Sequence, residues 1–331
     1  MCNLPETRPL QGGGSLNTPV ILARLLPMPF RMLNDALDST LARLIRSAGL
    51  VAAFICLATP AFAQGECRPS EDSNEAKLLA FFATPISFSP GGLVRSLPTK
   101  GIRIGFEASY VPSPSREIQQ PEACYGIKKT ENTNLSPVFP RPRIWIGLPL
   151  GFVLEGSYLP PVKVADAEPN LGSVALSLPV RVAGSEQTGG MSVLLRGHAT
   201  YGRIRGSITC PKKKLQQTDD TAACYGELPS ADTYKPNMYG AEGAAVLNGP
   251  NAKWGAYAAP GVTWLQPRFR VGFQYLTGAF DNTKIIVDMT RFAAGVGGWY
   301  RINPGTTITG ELYSVPSDAT TFRIGAVLGS R

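Results

Sequence analysis

Ile102-Arg103-Ile104-Gly105-Phe106-Glu107-Ala108-Ser109-Tyr110 alternates without a break, with apolar side chains at even positions and Arg, Gly, Glu and Ser at odd ones. Successive side chains of a β-strand point to opposite faces, so this stretch has one apolar face and one polar, charged face. The pattern returns along the chain. Val174, Leu176, Leu178, Val180 and Val182 alternate with Ser173, Ala175, Ser177, Pro179 and Arg181. Phe269, Val271, Phe273 and Tyr275 alternate with Arg268, Arg270, Gly272 and Gln274, and Phe322, Ile324, Ala326 and Leu328 with Arg323, Gly325 and Val327. Alternation over about ten residues, repeated, is the pattern of membrane-crossing β-strands.

Extending the pattern gives candidate strands at 101–112, 142–149, 151–160, 171–182, 192–208, 238–247, 252–264, 267–277, 283–289, 291–302, 305–315 and 320–330. The predicted fold is all-β, a closed antiparallel transmembrane barrel of about twelve strands (range about 10–14), with a short N-terminal helix. The run from Lys284 to Ile302 is split in two because its apolar phase flips, from Ile285, Val287 and Met289 to Phe292, Ala294 and Val296. Residues 113–141 and 209–237 read as long polar connections, whereas Leu148-Pro149-Leu150 and residues 248–251 read as tight turns. Tyr110, Trp145, Tyr158, Tyr201, Tyr239, Trp254, Trp264, Tyr275 and Tyr300 fall near strand ends, where an aromatic girdle would sit.

The composition agrees. The 331-residue chain holds 35 Gly and 29 Pro, a turn-rich profile that argues against a helical bundle. After residue 63 no stretch approaches the roughly 18 apolar residues of a membrane-crossing helix, so any bilayer location requires a closed barrel. Before it, Arg43 and Arg46, the apolar run from Ser47 to Thr59, and Pro60-Ala61-Phe62-Ala63 form a basic, an apolar and a cleavage region in the order of an export signal. The expected division is therefore a leader and signal peptide over 1–63 cut after Ala63, a periplasmic or plug segment over 64–100 and the barrel over 101–331. Since such signals rarely lie so far from the start, the expectation is either an initiator at Met28 or Met32 or an unusually long leader. Asp72 is the expected N-cap of a helix over 72–83, with Glu75 three residues on.

Four cysteines follow Ala63: Cys67, Cys124, Cys210 and Cys224. In an oxidising compartment four cysteines read as two disulfides with three connectivities. Cys210–Cys224 closes a short loop and is favoured, leaving Cys67–Cys124. With one His in the chain and no C-x-x-C, no metal site is expected, and no cofactor motif stands out. Gly295-Val296-Gly297-Gly298 lacks the strand-turn-helix setting of a phosphate loop. Residues 1–63 carry five of the 32 basic and three of the 24 acidic residues, so cleavage lowers the net charge from +8 to +6. The remaining charges are dispersed, which argues against a nucleic-acid partner. Lys212-Lys213-Lys214 is the one cluster.

In its patterning over residues 101–331 and its export signal, the chain resembles the outer-membrane β-barrel proteins of Gram-negative bacteria. That resemblance implies an outer-membrane location with the apolar face on lipid, and lipids or lipopolysaccharide as partners. Such barrels usually end on an aromatic residue, whereas this chain ends Val327-Leu328-Gly329-Ser330-Arg331. On this reading the opposite face lines the lumen through Arg103, Glu107, Glu155, Arg181, Arg196, His198, Glu242, Arg268, Arg270, Glu311 and Arg323. Two functions follow: a narrow passive channel that slightly favours anions, or a structural protein displaying its loops. A soluble periplasmic or secreted barrel with the apolar face inward around an apolar ligand is the alternative. A lipid-modifying enzyme is a third reading, because one barrel family carries a Phe-x-His-x-Ser strand. The matching positions here are Arg196, His198 and Thr200, which differ at two of three places, so the expectation is not an enzyme.

Overall fold

The computed structural model describes residues 65–91, 95–121, 124, 131, 133, 138–163 and 166–329. The expected leader and signal, residues 1–63, lies outside the described residues. A short strand β1 (Glu66–Cys67) and helix α1 (Asn74–Ala83) come first. The helix is capped by Ser73 rather than Asp72, the Ser73 hydroxyl accepting from the Ala76 amide at 3.1 Å. Glu75 reaches across to the Cys124 amide at 3.2 Å instead of folding back on the cap.

Among the described residues, ten antiparallel strands close into a barrel. They are β2 (Ile102–Tyr110), β3 (Val138–Gly147), β4 (Val153–Leu159), β5 (Ala167–Ser185), β6 (Gly189–Gly206), β8 (Met238–Asn248), β9 (Trp254–Leu265), β14 (Met289–Asn303), β15 (Thr306–Val315) and β16 (Ala319–Leu328). β16 pairs back onto β2, with Phe322 opposite Tyr110 and Leu328 opposite Ile104, and this seals the circle. The expected twelve becomes ten because 267–277 and 283–288 do not enter the wall, Met289 being the first residue of β14. Residues 268–286 supply β10 (Arg268–Arg270), β11 (Phe273–Gln274), β12 (Phe280–Asp281) and β13 (Lys284–Ile286) of a cap above it. Their alternation is real, but their apolar face is covered by protein: Phe269, Val271, Phe273 and Ile285 are buried against Leu79, Ile208 and Tyr234.

The barrel turns its apolar side outward. Ile104, Phe106, Val174, Leu195, Phe292, Val296, Leu312 and Ile324 are all about half exposed, while Glu107, Glu155, Arg196, Glu311 and Arg323 on the alternating positions are buried. A soluble barrel with its apolar face inward is thereby overturned, and this is a transmembrane β-barrel. Tyr110, Tyr158, Tyr201, Tyr239 and Trp264 ring the exterior at one end, and Trp254 and Tyr300 at the other. Trp145, expected in the girdle, points inward and packs with Leu97, Val153 and Val327.

Tight connections at 148–152, 186–188, 249–253 and 304–305 share the end of the barrel where β2 begins. The long ones, after β2, β6 and β9, share the opposite end, and the described residues of 207–237 and 266–288 build the cap. β6 carries both layers. Over Gly190–Thr200 it pairs with β8 in the wall, and over Ile204–Gly206 it pairs with β7 (Asp232–Lys235) of the cap. The cap sheet continues from β7 through β10 and β13 to β1. Gly202, between the two registers, has φ of 130°, and a Cβ there would lie 2.1 Å from the Asn170 carbonyl oxygen. The disulfides Cys210–Cys224 and Cys67–Cys124 brace the cap. Asp232 is its polar anchor, accepting from the amides of Ile208, Thr209 and Gly272 and from the Ser230 hydroxyl. Burial holds this carboxyl above its ordinary value, against the opposing pull of the Thr209, Ser230 and Gly272 donors.

Candidate functional site

After α1 the chain turns into the lumen. Residues 84–91 have no β-ladder to satisfy their carbonyls, and a buried carbonyl without a partner is costly. Arginines on the inner wall supply the donors. Arg141 donates to the carbonyls of Ile86 and Ser87 at 2.6 and 2.9 Å, and Arg143 to that of Ser89 at 2.7 Å. Arg196 donates to that of Phe88 at 2.5 Å, and Arg323 to those of Thr84 and Ser87 at 3.0 Å each. The Phe88 ring is fully buried, with the guanidiniums of Arg143, Arg196 and Arg141 at 4.4, 5.2 and 5.5 Å from its centroid. A ring face carries negative potential and attracts such cations. The chain then reaches the tight-turn end, where the Lys100 amide bonds to the Gly147 carbonyl, and enters β2.

Four glutamates balance the four arginines. Glu107 pairs with Arg143 at 2.6 Å, and Glu155 with Arg143 and Arg196 at 3.0 Å each. Glu242 pairs with Arg196 at 2.9 Å, and His198 lies 3.5 Å from it. Glu311 is 3.7 Å from Arg323 and also accepts from the Gly91 amide at 3.1 Å, from the Ser89 hydroxyl and from Tyr257. Gly91 has φ of 61°, and a Cβ there would fall 1.7 Å from the Arg143 guanidinium. A charge buried alone costs several kcal/mol, so each ion here is held by both an opposite charge and a hydrogen bond.

The expected lumen residues are distributed over three places. Glu107, Glu155, Arg196, His198, Glu242, Glu311 and Arg323 meet in the charged layer around residues 84–91. Arg103 and Arg181 instead line a vestibule of about 640 Å³ at the tight-turn mouth, with Arg95, Arg301 and Glu186. Arg268 and Arg270 lie outside the barrel altogether. They belong to cap strand β10, whose polar face meets water, and bond to Asp288 and Asn282 at 2.7 and 2.8 Å.

Sequence reasoning missed Arg141, Arg143, Phe88 and Ser89. Val138-Phe139-Pro140-Arg141 falls in the expected connection 113–141, since proline does not belong in a ladder. The usable signal was parity: Phe139, Arg141, Arg143 and Trp145 share one face of β3, and all are buried. Among the described residues, no hydrogen bond joins His198 to a Ser. The Thr200 hydroxyl is taken up by Ser173 at 2.9 Å.

An apolar outer wall, a charged interior and a chain segment threaded through it define the class: a closed antiparallel transmembrane β-barrel filled by its own N-terminal segment. No family model matches the chain, and no curated protein matches it. Among solved structures it is similar to Ail, the attachment invasion locus protein of Yersinia pestis. That match has 11% identity and a TM-score of 0.27, over 69% of this chain and 95% of that one. The translocator domain of the autotransporter NalP from Neisseria meningitidis matches with 11% identity and a TM-score of 0.26, over 70% and 89%. A loop-deleted OmpT, an outer-membrane protein of Vibrio cholerae, matches with 15% identity and a TM-score of 0.22, over 70% and 77%.

Proposed function

We propose that this chain is an integral outer-membrane protein, sealed by its own N-terminal segment, that displays a disulfide-braced cap at the cell surface. Its role on this reading is structural or adhesive, and neither transport nor catalysis. A signal ending at Ala63 would deliver it to the envelope. The observation that carries the proposal is the grip of Arg141, Arg143, Arg196 and Arg323 on the carbonyls of residues 84–89. An open pore needs a continuous water path, and this segment with its charged collar occupies the middle of the barrel. Outer-membrane lipids would surround the girdle, and Lys212 and Lys213, exposed on the cap, would meet the phosphates of lipopolysaccharide.

The test is single-channel conductance in a planar bilayer. The native chain is expected to be silent, and replacing residues 84–91 with a Gly-Ser linker is expected to open steady ion-conducting steps. Steady conductance by the native chain would favour the narrow-channel reading and overturn a sealed barrel.

A further inference from the structure

The barrel wall is not equally closed all round. β3 pairs with β2 along Val138–Tyr110 to Ile146–Ile102, but with β4 only from Ile144–Gly156 to Gly147–Val153. β4 itself stays paired with β5 as far as Leu159–Leu171. The cap-side half of the β3–β4 seam is therefore unzipped, and Pro140 and Pro142 stand along it. Proline has no N–H to give to a neighbouring strand, and so holds such an edge open.

Two grooves adjoin at Pro142 along this seam. The upper, about 190 Å³, is lined by Phe106, Phe139, Pro142, Leu159, Pro160 and Val162. The lower, about 670 Å³, lies among Ile144, Leu154 and Tyr158 and has Arg143 and Glu155 at its floor. Both are lined by residues of the outer face, such as Phe106 and Ile144, and by residues of the inner face, such as Phe139, Leu159 and Glu155. The upper groove follows the unpaired half of the seam, and the lower one lies over its last ladder pairs, Ile144–Gly156 and Ile146–Leu154.

We infer that the β3–β4 seam is a lateral binding groove for one acyl chain of a bilayer lipid. The groove opens on the lipid-facing wall, continuous with Ile104, Phe106, Ile144 and Val174 of the exposed apolar girdle. Acyl chains are the medium that bathes that face. The upper groove offers them apolar side chains and few polar atoms. A strand from another protein is the competing occupant of any open sheet edge, because it adds by main-chain hydrogen bonds. Two prolines on the β3 edge remove the donors that such an addition needs, and so favour a ligand that makes no hydrogen bonds.

This inference rests on the barrel lying in a bilayer, and the test separates the two. The full chain is refolded into phosphatidylethanolamine–phosphatidylglycerol vesicles. These contain a trace of phosphatidylcholine with a diazirine in one acyl chain. After irradiation, the labelled residues are mapped by mass spectrometry. Residues 139–142 and 158–162 are expected to take up about tenfold more label than Phe292 and Val296 on the far wall. Pro140→Val/Pro142→Val restores two N–H groups and is expected to zip the seam, removing the excess while labelling at Phe292 and Val296 persists. Val162→Trp, which fills the upper groove without touching the ladder, is expected to do the same if the double variant misfolds. Equal labelling at the seam and the far wall, or an excess that survives both variants, overturns the groove and leaves the membrane barrel standing. No label on either wall overturns both.

Discussion

Arg196 touches more of the interior than any pairwise description suggests. It donates to Glu155 at 3.0 and 3.2 Å, to Glu242 at 2.9 Å and to the Phe88 carbonyl at 2.5 Å. Its guanidinium plane lies 5.2 Å from the Phe88 ring centroid. Only the planar fork of arginine makes several such bonds at once, which lysine's point charge does not. Arg196→Met keeps the bulk and removes all of these, stranding Glu242 with His198 alone. Breaking a buried pair from one side costs about 3–5 kcal/mol. The variant is therefore expected to unfold at a markedly lower urea midpoint, with its folded band lost from unheated gels. Arg268→Met is the contrast. Its partner Asp288 is half exposed, so the loss is screened by water and stays within about 1 kcal/mol. Equal midpoints for the two variants would mean that the lumen charges are solvated and the collar does not hold.

At the scale of elements, β6 does two jobs, and Gly202 is where it changes from one to the other. Its positive φ and the nearby Asn170 carbonyl exclude a side chain. Gly202→Val is expected to cost about 1–3 kcal/mol of backbone strain. The damage should fall on the cap, because the β6–β8 ladder lies below the bend. Limited proteolysis would then cleave within 207–237 while the barrel still shifts on heating. A barrel lost together with the cap would make the two layers one cooperative unit. The same two-layer design explains what the sequence could and could not disclose. The wall strands at 101–112, 171–182, 305–315 and 320–330 are legible because lipid outside and charge inside impose strict alternation. Residues 267–277 alternate just as well, since a cap sheet with a protein core beneath and water above imposes the same period. Periodicity reports two media without saying which, so Arg268 and Arg270 read as lumen residues and two extra strands entered the wall. Pro140 and Pro142 hid the start of β3, and with it Arg141. Residues 84–91 have no period at all. They were betrayed only indirectly, by a lumen face carrying more Arg and Glu than a narrow barrel could leave without internal partners.

For the whole molecule, the path of the N-terminal segment sets its orientation. Residues 65–83 sit with the long connections, where β1 joins β13 and Glu71 lies 3.7 Å from Arg291 at the start of β14. Residues 84–91 then lie inside the barrel, and residues 95–100 are at the tight-turn end. Outer-membrane barrels keep short turns on the periplasmic side and long loops outside. By that rule residues 65–83 would stand at the cell surface, on the same side as 207–237. The wall closes through β16 on β2 around this segment, and Cys67–Cys124 ties its outer end to the connection between β2 and β3. This gives a threefold test with single cysteines and a membrane-impermeant maleimide on intact cells. Asp220→Cys, in a long connection, and Ser70→Cys, ahead of α1, are both expected to label. Gln187→Cys, in a tight turn, is expected to stay dark until the cells are opened. Labelling of Gln187→Cys in intact cells would turn the barrel over. Labelling of Asp220→Cys without Ser70→Cys would mean that the N-terminal segment does not run through the lumen in the membrane.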